Sequence, residues 1–297
     1  MPALEVSPNL TPAPQGVAVE LIAIDEDLVD QVARFLHDYL NSGISVDDWV
    51  EAVRYPWYPQ EANYGWALSH GGRVVGVICA IYSVQRINGR EEKFCNMHSW
   101  CVHPDYRSES LRLLTPLLRQ DEYAITNLTA GKDVVKIMKK FGFAALDDKV
   151  VIVPNPLVAF GAWHVKVTTE RDAILTRVDD YRRRILCDLE PMRRAVATLA
   201  HAGDDWCLCI SLRGRRKGVP LTRVVYVSHP ALWSAWLAAF ARSVLKVDHT
   251  LFTSCSPRLL TRRPLFATTL GEPRPELFRS RRLSADDITF LYSELTR

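Results

Sequence analysis

The sequence predicts an α/β fold of α+β character: two tandem copies of a mixed, mostly antiparallel sheet flanked by helices, the second copy degenerate. Three observations carry this. Hydrophobic periodicity through residue 153 gives the order β-α-α-β-β-β-α-β-α-β. The second half repeats that order loosely. A strand running into a proline-initiated helix occurs in both halves, at Val102-His103-Pro104 and at Val227-Ser228-His229-Pro230.

The elements follow in order. Residues 1–16 are proline-rich, with neither a basic start nor an apolar run, and read as a flexible leader rather than a secretion signal. Val17–Ile24 reads as a strand. Asp25 is a good N-cap for a helix whose apolar positions are Leu28, Val32, Phe35, Leu36 and Leu40. Ser45 opens a second, short helix that ends in the aromatic loop Tyr55-Pro56-Trp57-Tyr58-Pro59. Tyr64–Ser69 and Val74–Ser83 form a hairpin about His70-Gly71-Gly72, where glycine supplies positive φ, and Asn88-Gly89 marks another tight turn. Lys93–Val102 is a strand, Ser108–Leu118 a helix, Ala124–Leu128 a strand and Asp133–Phe141 a helix closed by Gly142. Val150–Val153 completes the first copy before Pro154-Asn155-Pro156.

In the second half, Ala173–Leu189 and Met192–His201 read as helices. Trp206–Leu212 and Leu221–Val227 read as strands about the basic turn Arg213–Gly218. Leu232–Leu245 is an apolar helix, followed by short strands near Leu251–Ser254 and Leu265–Thr269. The expected division is a domain at 17–155 and a degenerate repeat at 156–297.

Composition narrows the function classes. The chain has 297 residues, 48% hydrophobic and 24% charged, as a soluble globular protein does. No apolar run reaches the roughly 18–20 residues of a membrane span. Seven scattered cysteines form no CxxC pair, which argues against a zinc site or a disulfide framework and for reduced thiols in the cytoplasm. Residues 1–150 hold 14 Lys and Arg against 20 Asp and Glu, whereas the remainder holds 23 against 14. An anionic partner would therefore meet the second half, through Arg182-Arg183-Arg184 or the turn at Arg213. Both runs also suit solvated surfaces, and nucleic-acid motifs are absent.

The stretch Trp100-Cys101-Val102-His103-Pro104-Asp105-Tyr106-Arg107-Ser108-Glu109-Ser110-Leu111-Arg112 resembles the signature of the GNAT acyltransferase superfamily. There a strand ending V-x-P-x-x-R enters an R/Q-x-x-G-x-G/A turn and a helix. A helix N-terminus aims unpaired amides at one point and favours negative charge, so a diphosphate fits there. Further on, Ile125–Thr129 and Val134–Phe143 are similar to the family's next strand and helix with its terminal k-x-G-F. The resemblance spans residues 17–155.

It implies an acyltransferase moving an acetyl or longer acyl group from acetyl-CoA or another acyl-CoA to an amine, with no metal. Val102, Arg107, Ser108, Glu109, Ser110, Leu111 and Arg112 are the implied donor-binding residues. Ser108, Ser110 and Arg112 depart from the family's small residue and two glycines. Asn96 stands where the family has a base glutamate, so His98, on the same side of the strand, is the expected base with Asn96 as a polar positioner. Met138 occupies the place of the family's acid tyrosine. Cys101, opposite in alternation to His98, is not expected to act as a nucleophile. Tyr55, Trp57 and Tyr58, with Tyr64, are expected to line the acceptor site or to pack in the core. The alternative readings are a catalytically inactive GNAT-like binding or scaffold module, and a transferase using acyl-carrier protein or aminoacyl-tRNA as donor.

Overall fold

The structure, a computed structural model, describes residues 18–55, 57, 63–192, 194–216, 218–293 and 295, side chains excepted at 147–148 and 272–274. The expected leader at 1–16 and Tyr58 lie outside the described residues. The chain divides into two compact units. Among the described residues, one holds 18–54, 63–80 and 99–119; the other holds 55, 57, 81–98 and everything from 120 onward. Strands β3 (Arg73–Ile87) and β4 (Arg90–Val102) run through both.

In the first unit, β1 (Glu20–Ala23) pairs antiparallel with β2 (Gly65–His70), which pairs antiparallel with the start of β3. Asp25 accepts the amide of Leu28 and starts a 3-10 turn that leads into α1 (Val29–Tyr39). Helix α1 buries Val29, Val32, Ala33, Phe35 and Leu36, the stripe expected from their spacing. Ser45 caps α2 (Val46–Val53) by accepting the amide of Asp48. Gly65 has φ of +120°, and a Cβ there would lie 2.1 Å from the Ile78 carbonyl oxygen, so glycine alone lets β2 and β3 approach.

The segment expected as a helix over Ser108–Leu118 is different. Pro104–Leu113 forms a 3-10 helix, and only Leu114–Leu118, α3, is α-helical. The reason is Pro116. Without an N–H it cannot bond the carbonyl of Arg112, so an α-helix begun at Ser108 would break there. Starting at Leu114 places the proline in the first turn, where no such bond is due.

The second unit contains the remainder of β3 and β4, then β5 (Tyr123–Asn127), α4 (Lys132–Lys140), β6 (Ala144–Pro154) and the short helix α5 (Asn155–Val158). It continues with β7 (Lys166–Thr168), α6 (Arg171–Leu175), α7 (Asp180–Asp188), β8 (Ala195–Ala202), β9 (Asp205–Arg216) and β10 (Val219–Val227). Helices α8 (Pro230–Ala235) and α9 (Leu237–Val247), then β11 (Phe252–Cys255) and β12 (Thr268–Arg279), complete it. The sheet is mixed and mostly antiparallel, with parallel pairs at β4–β5 and β10–β11.

Two expectations change here. Met192–His201 is not a helix: Ala195–Ala202 is strand β8, paired with β9 from Ala195↔Leu212 to Ala202↔Asp205. The alanines favour a helix locally, but sheet pairing and burial of Leu199 and Ala200 override that weak preference. With β8 corrected, the run β7-α6-α7-β8-β9-β10 matches β1-α1-α2-β2-β3-β4 element for element. The second expectation is the break near 155. In the sheet order β4-β5-β12-β6-β11-β10-β9-β8-β7, the last strand β12 lies between β5 and β6, and β6 lies between β12 and β11. The two repeats exchange their final strands, so position 155/156 falls inside one compact unit.

Candidate functional site

In the first unit, the chain leaves β4 at Val102 and is fixed by histidines. The His103 amide donates to the Val75 carbonyl at 2.9 Å. The His103 ring accepts the amide of Asp105 through Nδ1 at 3.3 Å, and its carbonyl accepts the amide of Tyr106 at 2.9 Å. The Tyr106 hydroxyl lies 2.6 Å from His70 Nδ1, and the His103 ring stands edge-on to Tyr39 at 5.0 Å. His103 thus occupies the amides at the start of the 3-10 helix, and within such a helix amides donate three residues back. The amides of 107–112 lie inside this run rather than at an α-helix N-terminus.

What the segment offers an anion is side chains. Arg107 and Ser108 are exposed, and Arg107 enters no ion pair among the described residues. The Arg112 guanidinium donates to Glu109 at 2.6 Å and is partly neutralised. Leu111 is exposed, while Val102 and Ser110 are half-buried. Burial pushes the Cys101 thiol up to about 11 despite the nearby Arg107, which disfavours the nucleophilic thiolate at neutral pH.

In the second unit, parallel pairing of β4 with β5 covers Lys93↔Tyr123 to Asn96↔Thr126 and stops, although β4 continues to Val102. Asn96 is buried, and its Nδ2 donates to Thr126 Oγ1 at 3.0 Å. This bond fixes the last paired rung. His98 follows, buried at 7% exposure. The next residue in the chain, Ser99, has φ of +50°, a left-handed conformation unusual for a non-glycine and of the kind that breaks a strand's regular pairing.

Tyr55 and Trp57 belong to the core of this unit. Tyr55 is 3% exposed, and its hydroxyl accepts the amide of Tyr82 at 2.9 Å. Trp57 stacks at 5.6 Å on Tyr55 and edge-on at 4.9 Å to Tyr292. Their alternation with prolines resembles a loop lining a pocket, yet the rings pack inward. Met138 is fully buried in α4. In the first unit Tyr64 is buried, its hydroxyl donating to Glu26 at 2.9 Å.

The basic run is locally neutralised. Arg182 pairs with Asp179 at 2.5 Å, Arg183 with Asp180 at 2.7 Å and Arg184 with Asp188 at 3.9 Å. Sequence reasoning missed the role of His70, His103 and Tyr106 in holding the 3-10 segment; His103-Pro104 was the one signal of a fixed junction. Among the described residues, no cluster of three His, Cys, Asp or Glu is set to hold a metal, and no helix is long and apolar enough to cross a membrane.

No family model and no curated protein matches the chain. Solved structures do. A GCN5-related N-acetyltransferase from Anabaena variabilis superposes with TM-score 0.59 at 13% identity, over 88% of this chain and 72% of that one. A conserved protein of unknown function from Enterococcus faecalis, described as a probable N-acyltransferase, gives 0.58 at 8% identity over 90% and 74%. A GCN5-related N-acetyltransferase from Kribbella flavida gives 0.56 at 16% identity over 89% and 71%. The chain has the fold of the GCN5-related N-acetyltransferases.

Proposed function

We propose that the protein is an N-acyltransferase that takes an acetyl or longer acyl group from acyl-CoA and passes it to an amine. The observation that supports this most is that β4 runs on beyond its pairing with β5. Pairing with β5 ends at Asn96↔Thr126, and a left-handed residue follows His98 directly. Where β4 parts from β5 a thioester could lie along the strand, its carbonyl polarised by the main chain. In this reading His98 takes the proton of the attacking ammonium. The amine then forms the amide bond to the carbonyl carbon as the carbon–sulfur bond breaks, and the second proton of the nitrogen passes to the departing sulfur, which leaves as the coenzyme A thiol. Asn96, tied to Thr126, holds the rung that positions this stretch. Arg107 and Ser108 take the donor's phosphates through their side chains, with Val102, Glu109, Ser110, Leu111 and Arg112 shaping that segment. A reduced, cytoplasmic setting accords with the free, mostly buried cysteines.

The test is turnover. The purified chain is incubated with acetyl-CoA and longer acyl-CoAs against a panel of amines, and release of free coenzyme A thiol is followed. The expected result is turnover that falls about a hundredfold in His98→Ala with acyl-CoA affinity retained, the loss typical of a missing general base. A chain that binds no acyl-CoA by calorimetry overturns the proposal.

One observation favours a second reading. The 3-10 run at Pro104–Leu113 engages its main chain internally, which accords with a module that binds its ligand without turning it over. Tight acyl-CoA binding with no turnover on any amine selects that reading. Donors carried by acyl-carrier protein or tRNA would instead give salt-sensitive pull-down through the basic second half.

A further inference from the structure

A cleft of about 400 Å³ lies wholly within the second unit, among α6, the end of α7, strands β8 and β9, and the end of α9. Its volume is at the small end of the roughly 300–1,000 Å³ usual for ligand sites. Ile174, Leu186, Leu189 and Ile210 wall it, each no more than 6% exposed, so a ligand would meet an apolar interior already in place.

The polar side chains at this cleft are Thr169, Arg171, Glu190 and Arg213. Arg213 is half-exposed and is held through its Nε, which donates to Asp248 Oδ1 at 2.7 Å. The Asp248 side chain is 2% exposed, and its other oxygen accepts from Thr222 at 3.2 Å. Thr222 in turn lies 2.7 Å from the Thr250 hydroxyl. This chain of buried groups fixes the plane of the guanidinium and uses only one of its edges. Its two terminal nitrogens make no ion pair or hydrogen bond with the described residues. Arg171, also at the cleft, is spent differently: it donates to the Leu186 carbonyl and to Glu190 at 3.0 Å, closing α6 onto α7. Glu190 is thereby paired with Arg171.

An apolar cavity with one pre-oriented arginine fork matches a particular chemistry. We propose that this cleft binds a medium-chain aliphatic carboxylate, its chain among Ile174, Leu186, Leu189 and Ile210 and its carboxylate on the terminal nitrogens of Arg213. A planar fork held by a buried carboxylate is suited to bidentate recognition of a second carboxylate. The site is independent of the acyl-transfer reading, since none of its residues enters that reaction.

The experiment titrates the full chain with sub-micellar decanoate, decan-1-ol and decyltrimethylammonium by calorimetry, at low and at physiological salt. Decanoate is expected to saturate one site about tenfold or more tighter than the alcohol, the margin a charge-assisted hydrogen bond confers. Arg213→Gln is expected to erase that margin. Ala197→Leu, which fills the cleft wall, is expected to weaken decanoate and decanol alike. Arg107→Ala, outside this unit, leaves all three affinities unchanged. Thermal melts establish that each variant is folded; should Ala197→Leu fail to fold, Arg213→Gln decides alone. The proposal is overturned if decanoate gives no saturable heat, if Arg213→Gln binds it as wild type does, or if excess coenzyme A displaces it.

Discussion

Replacing Arg107 by alanine should uncouple donor binding from folding. Its guanidinium is exposed and enters no ion pair among the described residues; it acts electrostatically on the Cys101 thiol. Removing it therefore changes stability by no more than about 0.5 kcal/mol. A charge-assisted hydrogen bond to phosphate is worth about 1.5–3 kcal/mol, and solvent screening at an exposed site favours the lower end. At about 1.4 kcal/mol per decade, acyl-CoA affinity should fall roughly tenfold to thirtyfold. Arg112→Ala should cost less, because Glu109 already holds that guanidinium at 2.6 Å. Calorimetric titration with acetyl-CoA across a salt series, beside thermal melts of each variant, measures both quantities. Wild-type affinity in a normally melting Arg107→Ala would remove the phosphate assignment and with it the donor half of the proposed mechanism.

Further outcomes are expected. Gly65→Ala drives a Cβ to 2.1 Å from the Ile78 carbonyl oxygen at a φ of +120°; a loss of about 3 kcal/mol or more should lower the melting temperature by several degrees, and an unchanged melt counts against the close approach of β2 and β3. Cys187 is the one exposed cysteine, and burial pushes the Cys95 and Cys255 thiols up to about 12, so iodoacetamide near neutral pH should label one cysteine rapidly, as read by peptide mass spectrometry. Rapid labelling of several would contradict the packing. His229 is held below its ordinary value of 6.5, chiefly by burial and then by Arg182. Its contribution to stability is present above that ordinary value and is lost as pH falls through the lower folded one. The drop in melting temperature between about pH 7.5 and about pH 5.5 should accordingly shrink in His229→Gln. Residues 18–155 expressed alone should fail to give a folded monomer, since β5 and β6 each lose their pairing with β12; a cooperative melt of that fragment would refute the exchanged arrangement.

Much of the fold was legible where local chemistry speaks alone. Asp25 caps the 3-10 turn that leads into the expected first helix, Ser45 caps the second, and Gly71-Gly72 and Asn88-Gly89 turn with positive φ as their sequence requires. The order of elements in the first half follows from periodicity, with one lapse at 104–118, where the weight of Pro116 was overlooked. Elsewhere the signal was tertiary. Ala195–Ala202 looks helical until β9 is beside it. Nothing in residues 268–279 announces that they will lie between β5 and β6. The candidate site was legible as a motif but not as geometry: His103-Pro104 marks the junction, whereas the 3-10 run depends on hydrogen bonds with His70 and to His103. Aromatic residues in a proline-rich loop suit a ligand pocket or a core equally well, and the burial of Tyr55 decides it.

The placement of β12 has a consequence during synthesis. Strands β5 and β6 leave the ribosome well over a hundred residues before the strand that must sit between them. The amino-terminal repeat therefore waits, with two strand edges uncovered, until translation is nearly finished. A chaperone that shields such edges, or a slow rate of elongation without one, would govern how much native protein a cell obtains. Any premature stop ahead of Thr268 would unseat the sheet around Asn96 and His98, far upstream of the lesion.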